Sequence, residues 1–107
     1  MTVIDVDLKR DWPVTRYIVR LRALRHHLIE RYHIHELGVF GSYVRNQQRP
    51  DSDLDLLVSF TKTPSLLTLV QLEDELGALL GIKVDLAVKS ALRPRIAARV
   101  LNELVVI

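Results

Sequence analysis

The chain is predicted to fold as an α/β (α+β) protein, a small mixed β-sheet flanked by helices. Three observations carry that expectation. Leucine, isoleucine and valine recur at helical spacing over two long segments, Val14 to Leu28 and Leu69 to Leu79. Short apolar runs with strand character, Leu37–Phe40, Leu56–Val58 and Val84–Val88, lie outside those segments. Proline, glycine and serine punctuate the joins.

Residues 3–8 alternate in a strand-like way. Asp11-Trp12-Pro13 has the chemistry of a helix start, with a capping carboxylate and an early proline. From there to about Tyr32, the residues Val14, Ile18, Leu21, Leu24 and Leu28 form one apolar stripe opposite Arg16, Arg20, Arg22, Arg25 and Arg31. Leu37 to Phe40 is the first central strand, followed by Gly41-Ser42, a short helical turn from Tyr43 to Gln47 and a polar loop through Ser52. Asp53 to Phe60 is the second strand. Thr63-Pro64-Ser65 caps a helix that runs to about Leu80, with Leu69, Leu72, Leu76 and Leu79 inward and Gly81 ending it. Lys83 to Val88 is a third strand, Pro94 to Glu103 a last helix with Ile96, Val100 and Leu104 on one face, and Leu104 to Ile107 a short extended tail.

With 107 residues the chain reads as one domain, residues 1–107, of which residues 1–12 form an N-terminal extension. The absence of cysteine removes disulfides, zinc-thiolate sites and thiol catalysis. The first seven residues lack a basic start followed by an apolar stretch, and no apolar segment approaches membrane-spanning length, so a cytoplasmic protein is expected. A formal charge of +2 does not argue for nucleic-acid binding; the helical arginines read equally as a solvated face or as a surface for phosphate, RNA or an acidic partner.

The chemistry is concentrated in the middle of the chain. Gly41-Ser42 closes one apolar run, and Asp53-Leu54-Asp55 opens the next. Side chains two apart on a strand share a face, so the two carboxylates project together. Asp85, between Val84 and Leu86, is a third acid; if its strand pairs beside the second, all three converge. Buried carboxylates held together need a cation between them or raise one another's pKa. Oxygen-only ligands suit Mg²⁺ or Mn²⁺ better than zinc.

Gly41-Ser42-Tyr43-Val44-Arg45 together with Pro50-Asp51-Ser52-Asp53-Leu54-Asp55-Leu56-Leu57-Val58 resembles the signature of the DNA polymerase beta-like nucleotidyltransferase superfamily. Leu72 to Leu76, Lys83 to Leu86 and Ala91 to Pro94 resemble its minimal nucleotidyltransferase (MNT) branch, and the resemblance covers about residue 15 onward. It implies the polymerase beta-like nucleotidyltransferase fold and the antitoxin of a type VII-like HEPN–MNT toxin–antitoxin pair. The implied activity is transfer of AMP from ATP to a tyrosine of the HEPN ribonuclease toxin, with release of pyrophosphate. The implied cofactor is Mg²⁺, two ions, with Mn²⁺ an alternative. Asp53 and Asp55 would bind both ions, and Asp85 would bind the catalytic ion and help orient or deprotonate the attacking hydroxyl. Gly41 would let the backbone approach the phosphates, Ser42 would add a hydroxyl and an N–H at a helix start, and Arg45 would reach the β- or γ-phosphate. A hetero-oligomer with the toxin is expected, with no membrane contact and no direct nucleic-acid binding. The alternatives are an antitoxin that neutralises by binding alone, and a nucleotidyltransferase acting on a small molecule or an RNA end.

Among the remaining residues, His26, His27, His33 and His35 lack the spacing of a zinc helix and read as surface or helix-end groups. Trp12 reads as a hydrophobic staple, and Tyr43 as lining the nucleotide pocket or a partner contact.

Overall fold

The computed structural model describes residues 12–107; the strand expected at residues 3–8 and the capping role of Asp11 lie outside the described residues. Among the described residues, three helices and four strands follow in the order α1 (Val14–Tyr32), β1 (Ile34–Phe40), β2 (Leu54–Phe60), α2 (Leu66–Leu80), β3 (Val84–Val88), α3 (Pro94–Glu103) and β4 (Val105–Val106), with a 3-10 turn at Lys89–Ala91 between β3 and α3. The sheet order is β3-β2-β1-β4. β1 pairs antiparallel with β2 and with β4, whereas β2 and β3 run parallel, joined by α2 as crossover. The expected mixed sheet is the one found.

The α1 stripe does what its periodicity implies, whereas of the four leucines expected inward on α2 only Leu72 and Leu76 reach the core, and Leu69 and Leu79 stay half-buried outside it. Val14, Ile18, Leu21 and Leu28 of α1 and Leu72 and Leu76 of α2 are fully buried, and they share one cluster with Val39 of β1 and Leu54, Leu56 and Val58 of β2. Both long helices therefore pack on one face of the sheet. Removing any one of these leucines is expected to cost about 2–5 kcal/mol. Trp12 packs on the edge of the same cluster, as a staple would.

The ends of α2 follow their local chemistry. The Ser65 hydroxyl accepts the Thr68 N–H at 3.1 Å, and Gly81, at φ +70°, donates its N–H to the Gly77 carbonyl at 2.8 Å. α1 ends where His33 takes a left-handed conformation, φ +57°.

Two boundaries differ from expectation for non-local reasons. β1 begins at Ile34 rather than Leu37, because Ile34 and Glu36 pair across a register shift with Phe60 and Ser59. The C-terminal tail is a fourth strand: Val105 pairs with Val39, Val106 with Gly38, and the Ile107 N–H donates to the Leu37 carbonyl at 2.9 Å. Leu104 fills the space a Cβ on Gly38 would need, on the face opposite the α1–α2 core.

Candidate active site

The face of the sheet away from α1 and α2 carries the acids. Asp55 on β2 and Asp85 on β3 are direct partners in the parallel pairing. Their neighbours Leu54, Leu56 and Val84 point into the core, so strand alternation turns both carboxylates to the other side. Asp53 lies one residue before β2, whose pairing toward β3 opens with the Leu54 N–H on the Lys83 carbonyl at 2.9 Å. The expected strand start at Asp53 is thus one residue early.

Asp55 is partly buried, and its carboxyl is raised from 3.8 to about 6. Burial is the main cause, followed by the charges of Asp85 and Asp53; Glu103 adds to the rise and Arg45 opposes it. Asp85 and Asp53 therefore both act on Asp55, yet the three are not drawn into a ready cage. Among the described residues, no group of three or more His, Cys, Asp or Glu side chains stands close enough to hold a metal. Mutual repulsion keeps unneutralised carboxylates apart. Mg²⁺ retains several waters and takes one or two carboxylates together with phosphate oxygens, so it needs no all-protein cage. A partly desolvated Asp55 beside two further acids fits such an ion.

Gly41, immediately after β1, faces Asp55. Its partner-strand position follows from the pairing of Phe40 with Asp55. The residue is buried at φ +86°, a conformation that excludes most side chains, and a Cβ there would run into the Asp55 carboxylate. Both the dihedral and the close approach require glycine.

The segment after Gly41 is the expected helical turn, and it does not extend into a regular helix. Val44 N–H and Arg45 N–H both donate to the Gly41 carbonyl, at 3.1 and 3.3 Å, and Gln47 N–H donates to the Ser42 carbonyl at 2.9 Å. Asn46 then turns to φ +57°, which ends the coil before a regular helix forms. Ser42 is half-buried at the start of this run of turns, with no α-helix behind it to supply a dipole.

Glu103, the last residue of α3, is the site residue that sequence reasoning missed. Its Oε2 accepts the Gly41 N–H at 2.6 Å. The Arg45 guanidinium donates to both of its oxygens, at 2.8 and 2.9 Å, while the Arg45 Nε–H donates to the Gln47 Oε1 at 3.1 Å. Arg45, expected to reach phosphate, is thus engaged by a carboxylate. A faint signal for Glu103 was present in the sequence. An acid at a helix C-terminus is disfavoured by the helix dipole, so something else must hold it.

Phe40, Gly41, Arg45 and Asp55 form one wall of a cleft, and Ile96, Arg99 and Glu103 of α3 form the other. Ile96, expected inward, is 45% exposed at this cleft because Val100 alone takes the buried position on α3. Tyr43 does not line the cleft. It is buried in the main core, edge-on to Tyr17 with ring centroids 5.6 Å apart. The histidines are exposed as expected, His26 beside Glu30 at 3.0 Å and His27 beside Glu75 at 3.4 Å.

The nucleotidyltransferase domain model matches residues 21–107. The protein adenylyltransferase MntA of Thermococcus cleftensis is 52% identical over 85 residues, 79% of this chain and 86% of that protein. A solved structure described as a minimal nucleotidyltransferase superposes with TM-score 0.65 at 34% identity, over 97% of both chains. A further neighbour, at TM-score 0.64 and 18% identity over 84% of this chain and 70% of that one, comes from a complex of the MNT antitoxin with the tri-AMPylated HEPN toxin of Shewanella oneidensis. At that identity the likeness is one of fold. No helix among the described residues is long and apolar enough to cross a membrane.

Proposed function

The chain belongs to the nucleotidyltransferase domain family, and from that premise we propose that it is a Mg²⁺-dependent protein adenylyltransferase that moves AMP from ATP onto a tyrosine of a HEPN ribonuclease toxin, acting as its antitoxin. The observation that carries the reading is the register of Asp55 against Asp85, beside a glycine whose N–H is already holding an anion. The relative with 52% identity, a protein adenylyltransferase, supports the protein acceptor. The shared fold with an antitoxin bound to an AMPylated HEPN toxin supports the partner.

In this reading the Gly41 N–H, with Ser42 beside it, receives phosphate oxygens. Arg45 and Arg99, on opposite sides of the cleft, offset the triphosphate charge. Asp53 and Asp55 would hold the ions, and Asp85 would take part in holding one while orienting the acceptor hydroxyl. When bound, the ions polarise the α-phosphate and stabilise both the attacking and the leaving oxygen. The tyrosine oxygen forms a bond to the α-phosphorus as the bond to the β-phosphate oxygen breaks. Pyrophosphate leaves, and the hydroxyl proton passes to Asp85 or to water. Little else is required of the protein than positioning, which a chain of 107 residues can supply.

Incubation of the purified chain with ATP, Mg²⁺ and its HEPN partner is expected to increase the partner's mass in AMP-sized steps. Asp53→Ala combined with Asp55→Ala is expected to abolish the increase. Transfer unaffected by both replacements would refute the metal assignment. Toxin neutralisation in cells that survives the double replacement would identify binding, not transfer, as the mechanism.

A further inference from the structure

The donors assigned above to the triphosphate are occupied by the chain's own carboxylate. Gly41 N–H and the Arg45 guanidinium both point at Glu103 over 2.6–2.9 Å, an arrangement close to that of a bound phosphate oxygen. We propose that Glu103 is a positioning residue that stands in for phosphate in the nucleotide-free protein and leaves Gly41 and Arg45 when the triphosphate enters. This rests on the nucleotide reading of the site.

Charge and geometry both favour displacement. If Glu103 stayed, its carboxylate would face the entering phosphates while holding the Gly41 N–H. If it swings away, a donor and a cation are released together. The residue is placed to move. It terminates α3, where the final turn has few helical bonds to lose, and its side chain is only partly buried. The movement is confined to that turn, because Leu104 lies over Gly38 and Val105 is fully buried and paired with Val39. Until displaced, the carboxylate keeps Arg45 folded over the cleft and the Gly41 turn in its phosphate-ready conformation. Glu103 thus preorganises the same donors it competes for.

The test is titration of the full chain with a non-hydrolysable ATP analogue and Mg²⁺, comparing wild type with Glu103→Gln. The variant keeps the shape of the side chain and removes its charge. It is expected to bind the analogue about three- to tenfold more tightly, the size of a partly exposed charge-assisted pair removed from competition. Equal or weaker binding by a variant that melts like wild type would overturn the proposal. A second measurement needs no variant: the side-chain carboxyl carbon resonance of Glu103 in the wild-type chain is expected to move to that of a solvated glutamate as the analogue saturates. A resonance that stays fixed while the analogue binds would equally overturn it. If neither protein binds the analogue at all, it is the nucleotide reading of the site that falls.

Discussion

Replacing Asp55 by asparagine is expected to stabilise the metal-free fold while destroying its chemistry. Asp55 carries a cost: burial and the neighbouring Asp85 and Asp53 raise its carboxyl from 3.8 to about 6. A folded-state value above the unfolded one means that ionisation opposes folding. Stability is then greatest with the group protonated, below pH 3.8, and is lost as pH rises through about 6. At pH 8 the full displacement corresponds to about 3 kcal/mol. Asp55 is only partly buried, and screening by solvent reduces the expected cost to about 1–2 kcal/mol. Asparagine has the same shape, so the tight approach to Gly41 is kept and the charge alone is removed. In urea or thermal unfolding at pH 8 with a chelator present, the variant should be more stable by that amount, a rise in Tm of about 4–10 °C for a domain of this size. The advantage should shrink between pH 6 and 4 and vanish below. A variant that unfolds at or before wild type at pH 8, or whose advantage persists undiminished at pH 4, would refute the electrostatic account of this carboxylate.

Further outcomes follow from the same geometry. Mg²⁺ affinity, measured by calorimetry in the presence of nucleotide, should weaken as pH falls through about 6, because the ion must then displace a proton from Asp55; affinity independent of pH between 5 and 8 would place the ion elsewhere. Gly41→Ala, with φ +86° and no room beside Asp55, should cost at least about 1–3 kcal/mol in denaturant unfolding and abolish nucleotide binding. Ser65→Ala should remove the cap on Thr68 and lower stability by about 1 kcal/mol without changing nucleotide affinity, which separates fold from site.

How much was legible in the sequence depended on how local each feature is. Helix spans, the cap at Ser65, the stop at Gly81 and the buried stripe of α1 all follow from residues within a few positions of one another, and all were readable; on α2 only Leu72 and Leu76 of the expected stripe are buried. The pairing of Asp55 with Asp85 was legible only as a condition, that β3 lie beside β2, and the parallel register met it. Tyr43 was misplaced because its neighbours in sequence are site residues, whereas its packing partner, Tyr17, belongs to a distant helix. Ile34 fell outside the expected first strand, and the expected extended tail at Leu104–Ile107 was not assigned a partner, because strand bounds and pairing are set by the edge that supplies the hydrogen bonds.

The sequence by itself determined the elements, the family signature and the identity of three acids and a glycine, since these are properties of composition and spacing. Only the tertiary structure decided what stands against them. Glu103 lies 62 positions from Gly41, and no periodicity links the two. It reaches the glycine because β4 zips onto β1 and brings the end of α3 down beside Gly41 and Arg45. Non-local contacts of this kind form when whole elements pack, so the carboxylate that holds the phosphate cradle becomes visible only once the sheet is closed.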